Sequence, residues 1–243
     1  MTEDKTQETT DSSVLDALRT AAEQRPDDAR VHFEWGNALA EARRHEEALA
    51  AFERVVQLRP DVGAAHFNLA NACLALERWD RACLALEACV ALEPSSDAYE
   101  NLAFARVQCG QLEQARCALE NALRINPRSV SARGRLARLS LGVGREREAF
   151  KLIEEGMALM PHESRMFAEL AQLQQAMGSM GDAIVAWRKA VAMSPDEVEW
   201  RIYLATLLRL TDQVVEAEQV VQEGLARNPA EDRLRRFINA ALT

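Results

Sequence analysis

Seven prolines punctuate the 243-residue chain, at Pro26, Pro60, Pro94, Pro127, Pro161, Pro195 and Pro229. Their separations are 34, 34, 33, 34, 34 and 34 residues. Proline ends a helix and biases the residue before it toward extended backbone, so each interval between prolines is left free to be helical. Residues that favour helix N-caps follow several of them, at Asp27-Asp28, Asp61, Ser95-Ser96 and Asp196, and predict that one helix stops and another starts there.

Two further ladders run at the same period. Alanines stand in mid-interval at Ala48, Ala82, Ala115, Ala149, Ala183 and Ala217. A second small-residue set is Gly36, Ala70, Ala103, Ala137, Ala171 and Ala205, each preceded by Trp35 or by a leucine. Small residues at matched sites let two helices approach closely while the large neighbour fills the seam. Polar stretches such as Arg43-Arg44-His45 separate the ladders. Each interval therefore reads as helix, short turn, helix, a unit too small to bury both faces, which must stack on its neighbours. With 48% hydrophobic but only 5% aromatic residues, alanine and leucine supply the apolar mass, as close-packed helices require.

The pattern resembles the tetratricopeptide repeat: a large residue, Leu-Gly/Ala, a second-helix Ala, a large residue four further on, and a closing Pro. Residues 29–62 show Trp35-Gly36, Leu39, Ala48, Phe52 and Pro60, and residues 164–197 show Phe167, Leu170-Ala171, Ala183, Trp187, Ala190 and Pro195. The resemblance implies an all-α, right-handed solenoid of six repeats, at 29–62, 63–95, 96–129, 130–163, 164–197 and 198–231. Repeat two is one residue short, and Arg133 and Arg201 replace the first-helix aromatic in repeats four and six. An acidic, disordered tail is expected over 1–11. Capping helices are expected over 12–28, with Val14, Leu15, Leu18, Ala21 and Ala22 as its stripe, and over 232–243, with Leu234, Phe237, Ile238, Ala241 and Leu242.

In this family the first helix of each hairpin lines a concave groove. Carried onto this sequence, that implies that Asn37, Asn68, Asn71 and Asn101 project into the groove of repeats one to three, beside Phe33, Phe67, Leu74, Phe104 and Val107. An asparagine amide both donates and accepts, so it can pair with a peptide backbone or merely bridge neighbouring helices. The set partly resembles the carboxylate clamp of co-chaperones, but Phe33 and Phe67 stand where that clamp needs a cation. It is more similar to the asparagine ladder of a glycosyltransferase superhelix that holds extended peptides. A second set, Arg106, Arg133, Arg135, Arg138 and Arg165, is read as a patch for an acidic stretch of a partner, or as a solvated face balanced by Glu146, Glu148, Glu154 and Glu155.

A net charge of −9 repels polyphosphate backbones and argues against nucleic acid. No apolar run is long enough to span a bilayer, and the acidic N-terminus lacks the basic start and apolar stretch of a secretory signal. The five cysteines, Cys73, Cys83, Cys89, Cys109 and Cys117, include no C-x-x-C pair and are read as small buried side chains in a reducing cytoplasm. No phosphate-binding, zinc-protease or nucleophile-elbow motif occurs. His32 and His66 occupy the same place in successive repeats and read as packing residues. No catalytic residue, metal or cofactor is expected. The expected function is a scaffold or adaptor whose groove holds a peptide or helix of another protein. Alternatives are a chaperone-like protein that shields client segments, or one that self-assembles through its outer face or end caps.

Overall fold

The computed structural model describes residues 3–239, with side chains from 13 to 237. Fourteen helices and no strand occupy these residues: α1 (Glu3–Gln24), α2 (Ala29–Glu41), α3 (His45–Leu58), α4 (Gly63–Ala75), α5 (Trp79–Leu92), α6 (Ser96–Gln108), α7 (Leu112–Ile125), α8 (Val130–Gly142), α9 (Glu146–Leu159), α10 (Ser164–Ala176), α11 (Met180–Met193), α12 (Val198–Leu210), α13 (Val214–Arg227) and α14 (Asp232–Asn239). They fall into two compact units that divide between Pro127 and Arg128. The first holds the hairpins α2–α3, α4–α5 and α6–α7, and the second holds α8–α9, α10–α11 and α12–α13.

Every hairpin turn is three residues long, and its middle residue is left-handed: Arg43, Glu77, Gly110, Gly144, Gly178 and Asp212 have φ between 56° and 79°. The following amide reaches back across the turn, as in Arg44 N–H to Leu39 O and Arg78 N–H to Cys73 O, both at 2.8 Å. This is the Schellman closure, which satisfies carbonyls at the end of the first helix and reverses the chain. Both small-residue ladders lie in the core of the hairpins. All six mid-interval alanines are fully buried, and Gly36, Ala70, Ala103, Ala137, Ala171 and Ala205 are buried as well.

Between hairpins the chain passes through Pro in a four-residue turn, shortened to Glu93-Pro94-Ser95 after α5. The residue lost from repeat two is therefore lost from a turn. Caps form by side chains at Asp28, Ser95, Ser129 and Glu163, which accept from backbone N–H groups of the helix they precede. Asp61 and Asp196 do not cap as expected. Val62 and Glu197 occupy the cap positions, while Asp61 pairs with Arg59 and Asp196 with Arg227.

The polar residues near the start of the first helices also bind the turns. A His32 ring nitrogen lies 3.1 Å from the carbonyl of Pro26, a His66 nitrogen 2.9 Å from that of Pro60, and Arg201 Nε donates to Pro195 at 2.9 Å. Proline cannot donate, but its carbonyl still accepts. A residue six positions later is its partner.

Helical backbone begins at Glu3, so α1 takes in most of the segment expected to be a disordered tail; no Pro or Gly stands between Glu3 and Gln24 to stop it. Leu15 and Ala22 of α1 are buried, and α1 packs on α2 as a lone second helix would. At the other end Leu234 of α14 is fully buried, seated where Gly224 lacks a side chain, and Phe237 lies under Arg209. Met1, Thr2, Ala241, Leu242 and the Ile238 side chain lie outside the described residues.

Candidate functional site

Within each unit the first helices of successive repeats pack together, α2 on α4 and α8 on α10, whereas successive second helices make no comparable contact. These contacts set first helices of successive repeats side by side. In the first unit the asparagines meet across that row. Asn68 Nδ2 donates to Asn37 Oδ1 at 2.9 Å, and Asn101 Nδ2 donates to Asn71 Oδ1 at 3.0 Å. All four are half-buried. Each pairing uses one N–H and one oxygen lone pair, so an NH₂ group and a carbonyl oxygen remain at each junction for something else to bind.

The apolar residues divide. Phe104 and Val107 are exposed, at 38% and 39%. Phe33, Phe67 and Leu74 are half-buried, and Phe33 sits edge-on to Phe52 with ring centroids 6.0 Å apart, so part of its surface serves the hairpin. Phe104 stands edge-on to Trp79 at 5.7 Å. Trp79 was not among the sequence candidates because it opens a second helix; only the three-residue turn brings it beside α6.

The arginines expected to form a patch have different surroundings. Arg106 belongs to the first unit, where it is tied to Glu87 at 2.9 Å and to the Gln114 carbonyl at 3.1 Å. Arg133 is 4% exposed and donates to the Leu152 carbonyl at 3.3 Å with Glu155 3.6 Å away. Burial pulls its pKa down from the usual guanidinium value, and Glu155 opposes that shift. It is a packing residue, as its place in the repeat requires. Arg138 pairs with Glu169, whose carboxyl is pushed up by burial while Arg138 and Arg135 pull it down. Arg165 is exposed and Arg135 half-buried.

The cysteines are free thiols: Cys73, Cys83 and Cys89 are buried, Cys109 is half-buried, and Cys117 is exposed, contrary to its reading as a core side chain. Burial, with a smaller contribution from neighbouring Cys109, pushes Cys83 up to about 12. A thiol so held stays protonated at neutral pH and is a poor nucleophile. Among the described residues no cluster of His, Cys, Asp and Glu is arranged to hold a metal ion, and no helix is long and apolar enough to cross a membrane.

Residues 1–237 match the family described as the cilia and flagella-associated protein 70 C-terminal domain, a tetratricopeptide repeat family. The chain belongs to that family. A search of curated proteins returned no match. Among solved structures, a tetratricopeptide repeat protein from Parabacteroides merdae is 16% identical, with 99% of this chain and 96% of that one covered and a TM-score of 0.72. YrrB, described as a tetratricopeptide repeat protein with an unusual peptide-binding site, is 20% identical over 76% of this chain and 95% of its own, with a TM-score of 0.58. A thermophilic tetratricopeptide repeat protein of Thermus thermophilus is 26% identical over 74% and 98%, also with a TM-score of 0.58. These likenesses establish the fold of this family member as a tetratricopeptide array.

Proposed function

We propose that this protein is a non-catalytic interaction scaffold in which the first-helix face of the first unit, Asn37 to Val107, holds an extended segment of a partner protein. The observation that carries the reading is the pair of matched amide bridges, Asn37–Asn68 and Asn71–Asn101. Each presents a donor and an acceptor from the same places in successive repeats, the recurring hydrogen-bond pattern of an extended peptide backbone. Exposed Phe104 and Val107 would take an apolar side chain at one end of that track. The peptide-binding site described for YrrB lends support from the same fold. A chaperone-like role resting on Phe33, Phe67 and Phe104 is less well served, because Phe33 and Phe67 are half-buried and only Phe104 of the three is exposed. Five free thiols suit a reducing, cytoplasmic setting.

A photo-crosslinking residue at Val107, in the full chain, tests this. It is expected to capture one defined segment of a partner from native extract. Asn68→Ala with Asn101→Ala is expected to cut that recovery about tenfold or more, since each lost hydrogen bond is worth about 1 kcal/mol, while the helical circular dichroism is kept. Undiminished recovery by the double variant rejects this face as the site.

A further inference from the structure

The second unit carries a cleft of about 500 Å³ on its first-helix side, lined by Gln172, Gln175 and Ala176 of α10, Met180 and Trp187 of α11, and Tyr203 of α12. None of these is among the asparagine or arginine sets. The volume lies within the range of small-ligand sites, about 300–1,000 Å³. We propose that this cleft is a receptor for an aromatic side chain in a neutral segment of a partner protein, a site separate from the first unit's face and independent of that reading.

Three features of the wall select that occupant. No residue that lines it is charged, in a chain of which 28% of residues are charged, and Arg138, which reaches Gln172, is already paired with Glu169; an entering cation or carboxylate would lose water without gaining an unpaired counter-ion in the wall. Tyr203 is 48% exposed, and its ring leans on Trp187 with centroids 5.3 Å apart. It thus offers one aromatic surface to the cleft, beside the thioether of Met180, and both favour an aromatic ring over an aliphatic one. The polar groups are oriented to match. The Gln172 Oε1 accepts from Arg138 at 3.3 Å, which leaves its NH₂ to donate to a carbonyl flanking the incoming ring. The indole Nε1–H of Trp187 is buried in the wall without an acceptor.

The test uses the full chain labelled at its methionine methyl carbons, of which there are seven, with the Met180 resonance assigned through Met180→Leu. Blocked tripeptides Ala-Phe-Ala, Ala-Leu-Ala, Ala-Lys-Ala and Ala-Glu-Ala are the probes. Ala-Phe-Ala is expected to move the Met180 methyl upfield, saturably, by ring current. Ala-Leu-Ala is expected to bind about tenfold more weakly, and the charged peptides to leave the resonance in place. Tyr203→Ala, with helicity retained, is expected to weaken Ala-Phe-Ala binding about tenfold, the scale of one lost aromatic pair. A Met180 resonance unmoved by Ala-Phe-Ala, an equal response to the leucyl or charged peptides, or full binding by Tyr203→Ala would overturn the proposal.

Discussion

At Gly36 the missing β-carbon makes room for Phe52: a methyl group there would lie 2.7 Å from the ring. Repeat two fills the same two places with Ala70 and Leu86, both fully buried. Overpacking costs about 1–3 kcal/mol, while replacing a helical Gly by Ala returns about 1 kcal/mol. Gly36→Ala is therefore expected to destabilise in urea denaturation by up to about 2 kcal/mol. Adding Phe52→Leu, which recreates the Ala70–Leu86 pairing, is expected to couple favourably with it; additive effects in the double-mutant cycle would show that the two sites do not meet. At this scale the sequence was half legible. His32 and His66 stood out as equivalent packing residues, but what they pack against is a proline carbonyl, and backbone acceptors leave no trace in a list of side chains. The same blindness put Arg133 in a binding patch, although Arg201, its counterpart two repeats on, is equally buried and bound to a turn.

Among the elements, the hairpin turns share one shape but not one residue type. Three of the six left-handed positions are glycine, and Arg43, Glu77 and Asp212 are not. A side chain in that region costs about 1 kcal/mol against glycine. Glu77 is exposed, so Glu77→Gly is expected to raise stability by about 0.5–1 kcal/mol, and Gly144→Ala to lower it by about 1 kcal/mol. Thermal denaturation measures both; a loss of stability in Glu77→Gly would mean that the side chain repays its strain. The helices themselves were legible because proline and buried alanine are local demands, set by the backbone and by one close neighbour. Their caps were less so. Asp61 and Asp196 had the right chemistry, but Arg59 and Arg227 hold their carboxylates elsewhere.

At the scale of the whole molecule, each repeat within a unit is stabilised by its neighbours there, so damage should stay near its source. Leu234 is fully buried against Gly224 near the end of the described chain, and Leu234→Ala is expected to cost about 2–4 kcal/mol. In amide hydrogen exchange the loss should appear in α12, α13 and α14 and leave α2 to α5 at native protection; uniform acceleration would mean that the array unfolds as one body. The Asn37–Val107 face was proposed from register alone, since its residues recur at fixed repeat positions. The aromatic cleft was not, because Gln172, Met180, Trp187 and Tyr203 come together only once α10, α11 and α12 are folded against one another.

The short turn at Glu93-Pro94-Ser95 shows where such an array can lose length without harm. A residue deleted inside a helix would swing everything after it by about 100° and aim the next asparagine away from its mate. Removed between helices, the deletion is absorbed by the linker, and Asn101 still finds Asn71 as Asn68 finds Asn37. Insertions and deletions confined to these seams would change the contour of the array while leaving intact what its first-helix face displays.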